Sequence, residues 1–209
     1  MNPRPGGVTA VCIIAILLGS LGLLVSLFGV AALVVGQERI QGMMPKPQGE
    51  NEARAQLEMN DALNAVTNPL KPLTTTLMVL EILASSGLIV GSVMTLGLKE
   101  QGRKLLRNVL LLSIPLEIAR SVVGAYVSTA VAEVNGKFMP MLVAGQPNGN
   151  KMPADFGENI AKIGMIVGLA WAAIWLLANL AFLITSWLYL NRPRVRAAFA
   201  APTADDELA

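Results

Sequence analysis

The stretch Val8–Gly36, VTAVCIIAILLGSLGLLVSLFGVAALVVG, carries no charged residue. It is far longer than the roughly 18 residues that an apolar helix needs to cross a bilayer. It also far exceeds the 7–15-residue apolar core of a cleaved signal peptide, and the preceding MNPRPGG holds only Arg4, so we read it as a retained span. Three further stretches behave alike. One runs from about 73 to 98 with Glu81 as its only charge, and one from about 104 to 132 with Glu117 and Arg120 well inside. The last runs from about 160 to 190, with Asn179 as its strongly polar interior residue. A lone lipid-exposed strand would leave its backbone groups unpaired, so each span is expected to be helical. Pro115 lies deep in the third and predicts a kink there.

Composition agrees with this reading. Of 209 residues, 54% are hydrophobic and only 14% charged, about half the charged share of a typical soluble domain. The net charge of +2 offers no basic field for nucleic acid. Histidine is absent, which excludes His-dependent triads, His-ligated haem and His-containing zinc sites. The single cysteine, Cys12, excludes an intrachain disulfide and a CxxC redox pair. The sequence implies no cofactor and no metal site. The methionines outside the spans (Met43, Met44, Met59, Met139, Met141 and Met152) lack the regular spacing of a copper(I) site.

An even number of spans places both termini on one side. Basic residues are denser there: Arg4, then Lys99, Arg103, Lys104 and Arg107, then Arg192, Arg194 and Arg196. The positive-inside rule makes that side cytoplasmic. The opposite side holds two loops, 37–72 and 133–159. In the first, Asn51–Val66 has helical spacing, with Asn51 as N-cap and an end before Asn68-Pro69. The second, with Pro140, Pro147 and Pro153, is expected to be mostly irregular. The tail 200–209 reads as polar and disordered, and the whole of 1–209 as one membrane domain.

Small residues follow a pattern. Cys12, Ala15, Gly19, Gly22, Ser26 and Gly29 recur at alternating steps of three and four, which keeps one flat face in register. Gly87 and Gly91 in the second span, and Gly164 and Gly168 in the fourth, repeat the small-xxx-small spacing. Such faces let helix backbones approach closely in lipid. Cys12 falls on the first of them and reads as a small packing residue.

The intramembrane charges are the sharpest polar signal. Ser113, Glu117, Arg120, Gly124 and Ser128 share one face of their helix, and Glu81 shares a face with Ala84, Gly87 and Gly91. With the outer helix ends at Leu73 and Ala132, Glu81 lies about 12 Å deep, Arg120 about 18 Å and Glu117 about 22 Å. That places Arg120 between the two carboxylates in depth, so the three are expected to form an ion-pair cluster. It fixes helix register or, on the rival reading, lines an ion path.

The opening RPGGVTA (Arg4–Ala10) and the closing WLYLNRPRVRAAF (Trp187–Phe199) carry a resemblance. They resemble small uncharacterised bacterial four-span membrane proteins, whose last span runs into a YLxRPxVRxxF-type segment. The resemblance implies a bacterial inner-membrane protein and brings no catalytic residues with it. Pro193 predicts the end of the last span near Asn191.

The expectation is an all-α, four-helix transmembrane bundle with cytoplasmic termini. Without a catalytic constellation, the reading is a non-enzymatic accessory or scaffold subunit of a larger membrane complex. Its partners would be the bilayer and other membrane proteins, or further copies of itself, and not nucleic acid. The alternative is a small oligomeric channel or transporter using Glu81, Glu117 and Arg120.

Overall fold

A computed structural model describes residues 6–43, 50–144 and 154–200, with side chains for 6–31, 53–138, 159 and 162–199. The described residues are helical, with no strand among them. In order they form α1 (Gly6–Met43), α2 (Glu50–Thr67), a 3-10 turn (Asn68–Leu70), α3 (Lys71–Leu96), α4 (Glu100–Ala144), α5 (Ala154–Leu190) and α6 (Pro193–Ala200). Four helical stretches are long and apolar enough to cross a membrane: Gly6–Ala31, Ala53–Leu96, Glu100–Phe138 and Lys162–Leu190.

Two expectations about the connections need correction. The first, 37–72, is largely helical: α1 runs on to Met43, and α2, the 3-10 turn and α3 follow. Its short helix is present, but begins at Glu50, so Asn51 lies within the first turn instead of capping it. The second, 133–159, is not mostly irregular, because α4 continues to Ala144 and α5 begins at Ala154. Residues 145–153 and the tail 201–209 lie outside the described residues. The helix outlasts the apolar run because Glu133 and Lys137 pair at 2.8 Å across one turn, in the favourable acid-before-base order. Neither Pro115 nor Pro140 interrupts α4.

The short connection is built in detail. The Lys99 N–H donates to the Met94 carbonyl at 3.2 Å and the Leu98 N–H to the Thr95 carbonyl at 3.0 Å, a Schellman pair that ends α3. Leu98 occupies the left-handed position of that motif, at φ 56°, where glycine is usual. Its side chain packs against the buried core, which offsets the backbone strain. At the other end, α5 stops at Leu190 and α6 begins on Pro193, whose missing N–H suits a first helical position.

The chain divides into two compact units, each taking part of α1, α3, α4 and α5. The terminal unit comprises Met1–Ala31, Leu77–Ile118 and Leu177–Ala209; the loop unit comprises Ala32–Thr76 and Ala119–Leu176. In the terminal unit, Val8, Cys12 and Ala15 of α1 meet Leu88 of α3, and Leu106 and Leu110 of α4. Leu183 and Leu190 of α5 and Val195 and Phe199 of α6 complete that core. In the loop unit the buried apolar residues, among those described, are Ala55 and Val134.

Candidate functional site

The α1 small-residue face is packed against α3. A Cβ added to Gly19 would lie 2.9 Å from the Ser85 carbonyl oxygen and 3.3 Å from Leu88 Cβ. At Gly22 it would lie 2.7 Å from Ser85 Oγ, and at Gly29 2.9 Å from Met78 Cε. Cys12, Ala15 and Ser26, on the same stripe, are buried. The face of α3 that carries Gly87 and Gly91 meets α4: a Cβ would come within 2.8 Å of Val109 Cγ2 at Gly87 and 3.0 Å of the Leu106 backbone nitrogen at Gly91. Gly102 of α4 returns the contact, fitting against Met94 and Thr95 of α3. These distances leave no room for a side chain.

Gly164 and Gly168 of α5 differ. A Cβ at either would meet no described atom within 4 Å, and the same holds for Gly124 of α4. The surrounding apolar side chains are open too: Ile163, Ile166, Val167, Trp171 and Ile174 are each more than 60% exposed. Among the described residues, nothing packs on the small residues of this half of α5.

Glu81 and Glu117 stand at helix interfaces in the terminal unit. Glu81 is half-buried, and its Oε1 faces α1, 3.6 Å from where a Gly22 Cβ would sit. Glu117 accepts a hydrogen bond from Asn179 Nδ2 of α5 at 3.3 Å. Ser113 turns back on its own helix, donating to the Val109 carbonyl at 2.8 Å. Arg120, half-buried, lies three residues beyond Glu117 on α4 and belongs to the loop unit. Sequence reading noted Asn179 but did not join it to Glu117. Its being the lone strongly polar residue of an apolar run was the available signal.

Arg103 has a packing role that the sequence reading does not assign. It stands among the basic residues of the short connection and is only 4% exposed. Its Nη1 donates to the Leu190 carbonyl at 3.2 Å, at the C-terminal end of α5, where a cation is favoured. Its Nη2 lies 3.8 Å from Glu100 Oε1, and its guanidinium carbon lies 5.9 Å from the centre of the Phe199 ring. Arg103, Leu106, Leu110 and Ser113 are all buried, at steps of three, four and three. That spacing was legible. It continues the buried face of α4 back to the arginine.

Within the terminal unit the start of α1 meets the end of α5 and α6. Gly7 fits beneath the Tyr189 ring, and Val8 shares a core with Leu190, Val195 and Phe199. Arg192 lies 5.6 Å from the Tyr189 ring centre, while Arg194 and Arg196 are exposed. Thus α6 turns its apolar stripe, Val195 and Phe199, inward and its arginines outward.

The loop unit holds a cavity of about 480 Å³ between α4 and α5, lined by Thr129, Ala132, Glu133, Gly136, Lys137, Lys162 and Met165. The side chains of Met139 and Met141 lie outside the described residues, as do Met44 and Met152 entirely. Comparison of the chain with protein families, with curated proteins and with solved structures found no match.

Proposed function

We propose that the chain is a multi-pass inner-membrane protein with cytoplasmic termini, serving as a non-enzymatic accessory or scaffold subunit of a larger membrane complex. Membrane insertion is supported by the four apolar helices, and orientation by the density of basic residues beside the termini and the short connection. The bacterial inner membrane rests on the resemblance of the terminal segments. The observation that carries the subunit role is the open half of α5. Its glycines have the spacing that admits a second helix, and no part of the described chain occupies it.

The test is native mass after gentle detergent extraction of the tagged chain, compared with Gly164→Leu/Gly168→Leu. The expected result is a complex of fixed stoichiometry with a different protein, lost in the variant while the variant itself stays folded. A C-terminal reporter should be active in the cytoplasm, and a tag within 145–150 should be reachable from outside.

One observation favours the channel reading: Glu81 and Glu117 are both held at helix interfaces. A symmetric homo-oligomer in the same experiment would support it. The variant Glu81→Gln/Glu117→Gln/Arg120→Leu separates the two roles. A scaffold keeps function without the charges, whereas a channel folds and does not conduct.

A further inference from the structure

The cavity in the loop unit is polar at one end only. Along α4 the lining residues run Thr129, Ala132, Glu133, Gly136, Lys137, and α4 at that point is heading out of its apolar span. Along α5 they are Lys162 and Met165, and α5 at that point is heading into its own apolar span, which the sequence opens at about 160. The two helices therefore agree. Glu133, Lys137 and Lys162 stand at the outer rim, and Thr129, Ala132 and Met165 form the inner floor. Among the described residues the rim carries Lys137, Lys162 and Glu133. Lys137 and Glu133 pair at 2.8 Å, but both are about two-thirds exposed, and so open a pair exchanges readily for a stronger counter-charge. The volume of about 480 Å³ falls within the usual range of small-molecule sites.

We infer that this cavity binds one anionic phospholipid, its phosphate and headgroup between Lys137 and Lys162 at the rim and its acyl chains leaving past Thr129, Ala132 and Met165. The inference rests on the reading of the chain as a membrane protein. An amphiphile matches the cavity because charge and apolar surface are separated along the membrane normal, and a soluble anion would leave the apolar floor unfilled. Phosphate suits two ammonium groups, which bind it as point charges from either side.

The test is native mass spectrometry of the full chain in micelles holding equal amounts of dioleoyl phosphatidylglycerol and dioleoyl phosphatidylcholine. Preferential retention of phosphatidylglycerol is expected. Each of Lys137→Gln and Lys162→Gln should lower that preference about fivefold. Met165→Trp, which fills the floor and keeps both charges, should lower retention as well. Arg194→Gln/Arg196→Gln, in the terminal unit, should leave the preference unchanged. Equal retention of the two lipids by the unaltered chain would overturn the site, as would a preference that survives the double lysine variant. Competition by glycerol 1-phosphate as effective as by whole lipid would also overturn it, showing a site for free phosphates. Retention of neither lipid would overturn the site too, whereas a chain that stays dispersed without detergent would sink the membrane reading itself.

Discussion

Helices α1 and α5 are nearly alike as sequences: 38 and 37 residues, strongly apolar, each with a regular stripe of small residues. Their fates are opposite. The α1 stripe is filled by Ser85, Leu88 and Met78 of α3, whereas Gly164 and Gly168 of α5 have no neighbour among the described residues. Over the most apolar window of each helix, 22% is buried for α1 and 6% for α5. A small-residue stripe therefore specifies that a helix can be approached closely, and not by what. What decides is a complementary neighbour, and α1 has one within the chain. Where the neighbour is missing, the same pattern becomes a surface that another molecule can use.

The contrast predicts a graded series of substitutions. The largest loss is expected for Gly91→Leu, because the obstruction is the Leu106 backbone, which cannot turn aside. It should destabilise the chain by about 3 kcal/mol, read from unfolding in mixed micelles. Parent-like unfolding would show that α3 and α4 are not closely joined there.

Arg103→Ala comes next. It removes a charge-assisted bond to the end of α5 and a contact with the Phe199 ring, worth about 2 kcal/mol together. The loss should be local, so amide exchange in α6 should accelerate before the rest of the chain loosens. Equal acceleration everywhere would mean that Arg103 does not fasten α6.

Asn179→Leu should cost only about 1 kcal/mol, the usual scale of an interhelical hydrogen bond within a membrane. Glu117 would lose its donor from α5. Gly164→Leu/Gly168→Leu closes the series with no loss beyond about 0.5 kcal/mol, as for a surface change. A large cost at that last pair would remove the distinction between the two stripes.

The four long helices were legible because runs so long and so poor in charge have one structural outcome. The α1 stripe was legible for the same kind of reason, since its period of about 3.5 names a face. Helix ends were not. Apolarity ceases near Ala132, yet α4 continues to Ala144, because the Glu133–Lys137 pair stabilises helix outside the apolar run. The packing of Arg103 was not legible, because a basic residue beside a span can act as a topological charge and also cap another helix. Only the approach of Leu190 and Phe199 shows the second use. The openness of Gly164 and Gly168 is likewise a property of absent neighbours, which no local pattern encodes.

The claim that the open half of α5 receives another polypeptide can be tested in native membranes. A benzoylphenylalanine replaces Trp171, which is 68% exposed on that half, and the cells are irradiated before extraction. The account predicts a discrete adduct of higher mass containing a second protein chain, lost when Gly164→Leu/Gly168→Leu is added. Crosslinks to lipid alone would contradict it.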